Sequence, residues 1–501
     1  MTFAALAIPS RRSVLAAISG AVSNLVSSAL ASPARLGRAT RRPNVLMISI
    51  DDLNDWPLGA YPGVRAPTFD RMRSMLRCYT NAATPAAACS PARCATMFGV
   101  APWVSGVYNN RGDWYSNPVL SGRPSIPRYF RDRGYLTFGT GKLFHSSIYN
   151  NPADPSRIDP DAWTHFEFCR SQDCYERGEP KPTTTVAGIS YMGLRRDAPL
   201  EEMPDWIRAR WAAEHVLAKR HDKPFLLGVG IRKPHLPLVA PQRFWDLYDR
   251  KELVYPPGVL DRDEITFANK DYADLDANAR RFQLSGTGED YRAILESGHW
   301  LDLVHGYLAA ISFSDHCVGE IIDGLLSGPN ADDTVVVFYS DHGWQLGEKL
   351  AWQKATLWER ALRVPLMIGG AGIRGGDDPT CASLLDIYPT LTRLAFDEAP
   401  GYLDGRSLDR NLLSRSKDGR RSVSSWVMNR NGPWPAIQAG PHFSVRTETH
   451  RYIEYRDGGR ELYDHRVDPW EHQNLVRGAD PRHAAMARDM AKSVPVRWAA
   501  I

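Results

Sequence analysis

Carboxylates and an imidazole stand directly after two apolar runs of this sequence. Asp51 and Asp52 follow the first run, and Asp341 and His342 follow the second. Three carboxylates that lie close together raise one another's pKa unless a cation neutralises them, so the pattern predicts a divalent metal site if the two runs are neighbours. Either pair alone is equally typical of helix N-caps and turns, where Asp is common.

A second chemical feature is the segment Cys89-Ser90-Pro91-Ala92-Arg93, which a helical pattern follows. Proline is tolerated just inside a helix start, so Cys89 is predicted at a helix N-terminus, where the helix dipole favours an anion. Arg93 comes one turn later on the same face and can reach either that anion or the Cys89 side chain. An unmodified cysteine at this place is predicted to be an activated thiol.

Further cationic and proton-transferring side chains follow other apolar runs. They are Lys142 and His145, His235 between two prolines, and Lys354 after Trp352-Gln353. Any one of them could be an ordinary surface residue. Together with the acids, they indicate a site that processes an anion.

The elements that must position these residues read as a parallel sheet with crossover helices. Apolar runs typical of buried strands are Asn44–Ile50, 135–139, 225–230, Thr334–Ser340 and 364–368. Apolar residues at helical spacing predict a helix over 301–326. Strands buried on both faces indicate an α/β fold, in which ligands bind at the carboxyl ends of the strands.

After about residue 400 the pattern changes to polar strands and turns. Strands are predicted at 422–428, 443–447, 451–455 and 461–464, which favours a smaller antiparallel sheet with a terminal helix. The domains are therefore predicted as a catalytic part over 42–400 and a C-terminal subdomain over 401–501. The stretches 150–204 and 256–298, rich in polar residues and turns, are interpreted as loop insertions that shape the substrate mouth.

Composition narrows the class of protein. The 501 residues are 43% hydrophobic and 24% charged, which excludes a disordered chain. The 61 Lys and Arg face 57 Asp and Glu and are scattered, so nucleic acid is not expected as a partner.

Residues 1–31 are interpreted as a signal peptide for twin-arginine export. Arg11 and Arg12 precede a mildly apolar run that ends in the small-x-small pattern of Ala29-Leu30-Ala31. Polar residues interrupt the run, so no stable membrane span is expected. A frayed N-terminal extension is the alternative, and the predicted location is the periplasm or the outside of the cell.

The chain has seven cysteines, so in an exported protein at least one is expected to be free or chemically special. Cys89 is the candidate. Cys169 and Cys174 are close enough in sequence to bridge. The remaining four, Cys78, Cys94, Cys317 and Cys381, stand in apolar surroundings typical of core thiols.

The motifs taken together resemble the type I sulfatases, in which the cysteine of C-x-P-x-R is oxidised to formylglycine. The resemblance rests on 44–52, Cys89-Ser90-Pro91-Ala92-Arg93, 134–145, Lys233-Pro234-His235 and Ser340-Asp341-His342-Gly343. Within the family the chain looks most like the iduronate-2-sulfatase branch, because Lys142 and His145 have the spacing K-x-x-H. The implied fold is alkaline-phosphatase-like, with a mixed, mostly parallel sheet sandwiched by helices.

The resemblance also implies a role for each site residue. One Ca²⁺ would be held by Asp51, Asp52, Asp341 and His342, with the modified Cys89 also in contact. Arg93, Lys142 and Lys354 would stabilise the sulfate and the hydrated aldehyde, His235 and Lys354 would protonate the leaving oxygen, and His145 would deprotonate the second hydroxyl.

The implied activity is hydrolysis of a sulfate ester of a sugar or of a glycosaminoglycan-like polysaccharide. The implied partner is a formylglycine-generating enzyme. Two alternatives stay open: a phosphonate monoester or phosphodiester hydrolase of the same superfamily, and a catalytically inactive glycan-binding relative in which Cys89 stays a thiol.

Overall fold

The computed structural model describes most of the chain after residue 41. The described residues are 42–110, 114–115, 117–145, 159–168, 184–186, 189–259, 270–277, 279–280, 287–414, 421–426, 441–456 and 458–499. The predicted export signal and the pair Cys169 and Cys174 lie outside these ranges. Among the helices within them, none has the length and apolar character needed to cross a membrane.

The strands and helices alternate along the first four-fifths of the chain. The strands are β1 Asn44–Ile50, β2 Arg77–Ala83, β3 Leu136–Gly141, β4 His165–Glu167, β5 Thr184–Val186, β6 Ile189–Arg195, β7 Phe225–Ile231, β8 Leu238–Val239, β9 Thr334–Ser340, β10 Gln345–Leu346, β11 Trp352–Gln353, β12 Leu366–Gly370, β13 Gly376–Ser383, β14 Ser422–Trp426, β15 His442–Arg446, β16 His450–Glu454 and β17 Arg460–Asp464. The α-helices are α1 Pro67–Met75, α2 Cys89–Phe98, α3 Pro102–Ser105, α4 Ile126–Arg131, α5 Pro204–Trp211, α6 Gln242–Trp245, α7 Lys270–Ala273, α8 Thr287–Ser297, α9 Trp300–Ser327, α10 Glu359–Leu362, α11 Ile387–Phe396, α12 Asp409–Ser414 and α13 Pro481–Ala491.

One central sheet of eight strands organises the main body, in the order β13-β2-β12-β9-β1-β7-β3-β4. β1 pairs in parallel with both β7 and β9. Only β12 in this sheet runs against its neighbours, because it is antiparallel to both β9 and β2. The predicted α/β fold with a mixed, mostly parallel sheet is therefore confirmed.

Alternate residues of β1 belong to two different cores, one on each face of the sheet. Leu46 and Ile48 pack on the side covered by α9, whereas Val45 and Met47 pack on the side covered by α2 and α11. All seven residues of β1 are buried, which explains the continuous apolar run in the sequence. The helix predicted over 301–326 is α9.

The C-terminal part forms the predicted smaller antiparallel sheet. Its four strands follow one another in the order β14-β15-β16-β17, and α13 packs on it through Met490 against Val445 and Tyr452. The domain boundary placed near residue 400 stays a prediction.

The interpretation of 256–298 as loop was wrong in part, because this stretch contains α7 and α8. In α8 the residues Tyr291 and Ile294 are fully buried. Because they stand among polar neighbours, the sequence shows little of the apolar spacing that is typical of a helix. The other predicted insertion, 150–204, also supplies structure to the main body, since β4 forms one edge of the central sheet.

Candidate active site

Four neighbouring strands, β9, β1, β7 and β3, end at one edge of the central sheet, and each leads into predicted site residues. β9 is followed by Asp341 and His342, and β1 is followed by Asp51 and Asp52. β7 is followed by His235, and β3 is followed by Lys142 and His145. Because these strands are parallel, their carboxyl ends bring the side chains together. Cys89 and Lys354 reach the same place from α2 and from the loop after β11.

The three aspartates form a buried acidic cluster. Asp51, Asp52 and Asp341 are at most 1% exposed. Asp341 Oδ1 accepts hydrogen bonds from the backbone N–H of Asp52 at 3.2 Å and of His342 at 3.0 Å. Asp52 has a left-handed backbone, with φ at 62°, a conformation that Asp adopts more readily than most residues. The two strand ends therefore aim their carboxylates at one point.

Cys89 begins α2, as the sequence predicts, and its thiol faces the acidic cluster. The Sγ atom lies 3.2 Å from His342 Nε2 and 3.1 Å from Lys354 Nζ. Ala88, at the N-cap, offers no capping side chain, and the Ser90 N–H instead donates to Asn110 Oδ1 at 2.9 Å. A remote loop thus holds the helix start that carries Cys89.

Arg93 is turned towards the acids. Its Nε donates to Asp341 Oδ2 at 2.9 Å and its Nη2 donates to Asp51 Oδ1 at 3.2 Å. It also donates to Ser49 Oγ and to the Lys142 carbonyl, and the side chain is only 1% exposed. Arg93 therefore fastens α2 to the ends of β1 and β9, and these bonds occupy the guanidinium that the sequence placed within reach of either an anion or the Cys89 side chain.

The two lysines pair with different carboxylates. Lys142 Nζ contacts Asp51 Oδ2 deep in the site. Lys354 Nζ lies 2.7 Å from Asp52 Oδ1 and keeps 14% of its side chain exposed. Lys354 is thus the more accessible of these two cations beside Cys89.

The imidazoles surround Cys89 and Asp52. His342 Nδ1 donates to the Gly343 carbonyl at 2.9 Å, which leaves Nε2 directed at Cys89. His235 Nε2 lies 3.8 Å from Asp52 Oδ2, with 24% of its side chain exposed. Burial lowers the pKa of His145, and the neighbouring Cys89 offsets this in part. His235 therefore stands on the accessible side, whereas His342 belongs to the acidic cluster.

A divalent cation fits these residues. Ligand atoms of Asp51, Cys89, Asp341 and His342 all lie within 4.8 Å of one another, and a second set replaces the last two with Asp52 and His235. Asp52 Oδ2 is buried and accepts no hydrogen bond from the described residues. A buried carboxylate oxygen without a donor is a ready ligand for a hard cation.

The pKa values reflect how tightly the charges are packed. Burial raises the pKa of Asp51, but Lys142, His235, Arg93 and Lys354 together outweigh it and hold that pKa well below its usual value. Burial raises the pKa of Asp341 to about 7. Burial lowers the pKa of His342, but Asp341 and Cys89 together overcome it and raise that pKa to about 9. A divalent cation would displace protons held at this pair, which is how metal binding is linked to deprotonation of the ligands.

Burial and Asp51 raise the pKa of the Cys89 thiol, but the cationic groups around it, led by Lys142, Lys354 and His342, together hold it well below its usual value. The activated thiol predicted from the helix N-terminus is thus produced by several surrounding cationic side chains. Burial also lowers the pKa of His235 well below its usual value, so this imidazole is neutral.

Sequence reasoning missed Asp205, a buried residue of α5 that holds the His235 loop. Its Oδ2 accepts from the backbone N–H of Arg232 at 2.9 Å and of Lys233 at 2.8 Å. Ser314 of α9 donates to the Lys233 carbonyl at 2.7 Å. An Asp in the first turn of a helix resembles an ordinary helix-start residue, so the sequence offered no signal.

Two aromatic residues that follow α2 differ in their surroundings. Trp114 is 5% exposed and stacks on Phe144 at a centroid distance of 4.7 Å, whereas Tyr115 is 47% exposed. The prediction of core thiols is confirmed, since the four cysteines concerned, Cys78, Cys94, Cys317 and Cys381, are all buried.

Comparisons with known proteins agree over most of the chain. The sequence pattern of the family described as Sulfatase matches residues 43–397, and that of N-sulphoglucosamine sulphohydrolase, C-terminal, matches residues 347–496. A protein of Formosa agariphila named sulfatase is 30% identical over 86% of this chain and 82% of its own length. Mouse iduronate 2-sulfatase is 30% identical over 75% of this chain and 67% of its own length.

Solved structures share the fold. A phosphonate monoester hydrolase from Silicibacter pomeroyi superposes with a TM-score of 0.71 at 22% identity, over 90% of this chain and 94% of that one. At this identity the likeness describes architecture alone. It places the chain in the same α/β architecture as that enzyme.

Proposed function

Because this chain belongs to the sulfatase family and is a sulfuric ester hydrolase, we propose that it removes sulfate from a sugar, using residue 89 oxidised to formylglycine as its nucleophile. The placement of Cys89 carries the proposal. Its Sγ stands at hydrogen-bond distance from both Lys354 Nζ and His342 Nε2, beside three buried carboxylates. A nucleophile there would face a sulfate whose oxygens meet preorganised positive charge.

The proposed substrate is a sulfated sugar, either free or within a glycosaminoglycan-like polysaccharide. The 30% identity to mouse iduronate 2-sulfatase supports this substrate class, as does the K-x-x-H spacing of Lys142 and His145. The cationic groups in the site suit a substrate that carries negative charge on a tetrahedral sulfur.

The proposed cofactor is one Ca²⁺, held by Asp51, Asp52, Asp341 and His342 with residue 89 also in contact. When bound, the ion would withdraw charge from sulfate and from the hydroxyls at residue 89. Arg93 keeps Asp51 and Asp341 at a fixed separation, since one guanidinium bonds to both. The protein therefore prepares the ligands before any ion binds.

The proton transfers are assigned to groups near the accessible side. Lys354 and His235 have partly exposed side chains and both approach Asp52, so we assign them to protonate the departing sugar oxygen. His235, which burial keeps neutral, would take up the proton that it donates once the negative charge of bound sulfate raises its pKa. His145 lies near residue 89 and is assigned to take the proton of its second hydroxyl, which releases sulfate and restores the aldehyde. Lys142, paired with Asp51, balances the negative charge of the acidic cluster.

Three further parts of the proposal lie outside the site. A formylglycine-generating enzyme must oxidise Cys89, residues 1–31 direct export to the periplasm or beyond, and residues 42–400 form the catalytic part with 401–501 as its subdomain. The interrupted apolar run after Arg11 and Arg12 supports the export signal.

The test joins mass spectrometry to turnover. In protein made together with a formylglycine-generating enzyme, the peptide containing residue 89 should lose one hydrogen sulfide and gain one oxygen atom. The apparent kcat on a panel of sulfated sugars should rise in proportion to the fraction of chains in which Cys89 has been converted to formylglycine. Cys89→Ser should fold normally and release no sulfate, whereas Cys94→Ala, a change at another buried cysteine of α2, should keep its activity.

Turnover of phosphonate monoesters and phosphodiesters is measured beside the sulfate esters. A clear preference for the phosphorus substrates would reject the sulfatase reading in favour of the related hydrolases. A Cys89 that stays a thiol, without turnover of any ester, would favour the glycan-binding relative. Near-native activity of Cys89→Ser would refute the aldehyde mechanism.

A further inference from the structure

The segment Gly347–Ala355, which carries Lys354, has an unusual backbone. Four of its residues other than glycine have left-handed φ angles: Lys349 at 57°, Leu350 at 52°, Gln353 at 70° and Ala355 at 71°. A residue with a Cβ is unfavourable in this conformation and stays there only where surrounding contacts hold it. The contacts around this segment therefore determine its shape.

Two of the left-handed residues flank Lys354 directly. Gln353 precedes it and Ala355 follows it, so the direction of the Lys354 side chain depends on both backbones. The Lys354 ammonium lies 2.7 Å from Asp52 Oδ1 and 3.1 Å from Cys89 Sγ. If either flanking residue relaxed to a right-handed φ, the chain would leave in another direction and carry Nζ away from these two atoms.

One tether holds the residue before Lys354. The side-chain amide of Gln353 donates to Asp290 Oδ2, and Asp290 lies in α8, within the stretch that the sequence suggested was loop. The backbone of Gln353 also pairs with Gln345 in the short β10–β11 ladder. Because the acceptor is a carboxylate, the hydrogen bond from the Gln353 side chain to Asp290 is one of the stronger kinds.

Three other contacts hold the two ends of the segment Gly347–Ala355. The Ala355 N–H donates to the Ala87 carbonyl at 3.1 Å, two residues before Cys89. The Lys349 ammonium lies 3.2 Å from Asp271 Oδ1 and donates to the Glu471 carbonyl at 2.6 Å. The ends are thus fastened to the Cys89 segment and to the C-terminal part, and Asp290 is the side-chain partner next to Lys354.

We propose that Asp290 and Gln353 are positioning residues, which hold the left-handed backbone beside Lys354 and so place its ammonium between Asp52 and residue 89. The inference rests on the role given to Lys354 under the proposed function. The proposal gives α8 a function, because this helix supports the segment Gly347–Ala355 that carries Lys354. The bond acts on the backbone of Gln353, and Asp290 itself touches no reacting atom.

The first experiment measures kcat and KM for Asp290→Ala and Asp290→Asn on the formylglycine-containing enzyme with a sugar sulfate. Loss of one hydrogen bond to a charged group should lower kcat about tenfold in Asp290→Ala, with KM changed less than about threefold. Asn can still accept from the Gln353 amide, so Asp290→Asn should stay within about threefold of the parent. Glu289→Ala removes an exposed acid from the preceding position of α8 and should change neither constant. Equal losses in Asp290→Ala and Glu289→Ala would overturn the inference.

The second experiment asks whether Asp290 acts through Lys354. In a Lys354→Ala background, adding Asp290→Ala should cost less than about twofold in kcat, because residues that act as a unit are not additive. A further loss of about tenfold in that background would overturn the inference.

Hydrogen–deuterium exchange of the peptide 345–357 gives a readout independent of turnover. Exchange should rise in Asp290→Ala and stay unchanged in Glu289→Ala. Unchanged exchange in Asp290→Ala would overturn the inference, whatever the activity. Near-native kcat of Lys354→Ala alone would instead refute the proposed role of Lys354, and the exchange data would still decide whether the tether exists.

A pair of variants at Gln353 tests the backbone directly. Gln353→Ala removes the amide and keeps a Cβ, so it should lose about tenfold in kcat like Asp290→Ala. Gln353→Gly also removes the amide, but glycine adopts a φ near +70° freely, so kcat should recover to within about threefold of the parent. Equal losses in the two variants would overturn the claim that the tether works through the left-handed backbone.

Discussion

The support beneath the His235 loop allows a quantitative prediction for Asp205→Ala. Asp205 is 2% exposed, and its carboxylate accepts from the backbone N–H groups of Arg232 and Lys233 at 2.9 and 2.8 Å. Each buried donor left without an acceptor costs about 1–3 kcal/mol, so the two N–H groups alone should lower the free energy of unfolding by about 4 kcal/mol. The ion pair with Arg208, at 3.0 Å and equally buried, is lost as well and adds about 2 kcal/mol, so the variant should lose about 6 kcal/mol in all.

Asp205→Asn separates the two contributions. Its Oδ1 can still accept from both N–H groups, while the amide loses the ion pair with Arg208, so a loss of about 2 kcal/mol is expected. Both values come from urea unfolding followed by fluorescence. Glu202→Ala, an exposed acid just before α5, should remain within about 0.5 kcal/mol of the parent.

Activity under folding conditions completes this test. Because the loop aims His235, kcat of the folded fraction should fall in Asp205→Ala more than in Asp205→Asn. A stability loss below about 1 kcal/mol in Asp205→Ala would show that these bonds do not hold the loop. Equal losses in the Ala and Asn variants would show that the ion pair, and not the backbone N–H groups, is what matters.

Three further predictions concern the cation, pH and the C-terminal sheet. Chelation with EGTA should abolish sulfate release and added Ca²⁺ should restore it, measured by ion chromatography; full activity after exhaustive chelation would contradict a metal held by the acidic cluster. Burial raises the pKa of Asp315 to about 6, above the value of 3.8 expected when unfolded, so the folded state holds the extra proton and stability should fall as pH rises between these values and then level off. The loss is roughly 3 kcal/mol between about pH 3 and 7, and it should be absent in Asp315→Asn; parallel stability–pH curves for the two proteins would refute it. Arg451 is 1% exposed and ion-pairs with Glu359 and, at 2.9 Å, with Glu471, so Arg451→Met should destabilise by about 3 kcal/mol and expose β14–β17 to limited proteolysis. An unchanged cleavage pattern would argue against these ion pairs as the attachment of that sheet.

The catalytic elements could be predicted because their signals are local. β1 and β9 are buried at every position, so each reads as an unbroken apolar run, and the residue after each run falls at the carboxyl end of a strand. The start of α2 at Cys89 is likewise encoded nearby, by the proline two positions later. The pattern after residue 400 predicted the four strands of the small sheet, and the last three of them, β15, β16 and β17, follow one another with three and five residues between them.

The direction of each site side chain depended on partners far away in the chain. Arg93 pairs with Asp341, 248 positions later, and this partner turns it towards the acids. Lys354 meets Asp52 across 302 positions, through a backbone that α8 and the Cys89 segment both contact. The helical pattern of α8 was equally hidden, since few of its residues are buried.

The sequence by itself determined five strands of the central sheet, the acids, cysteine and bases of the candidate site, and the family, because burial and motif spacing are patterns of neighbouring residues. It did not predict β2, β4 and β13, which complete that sheet. Only the tertiary structure decided which carboxylate each cation takes and that Asp205 and Asp290 support the site from outside it. The physical reason is that a hydrogen bond or ion pair depends on atoms within a few ångströms of one another, and separation along the sequence does not fix that distance.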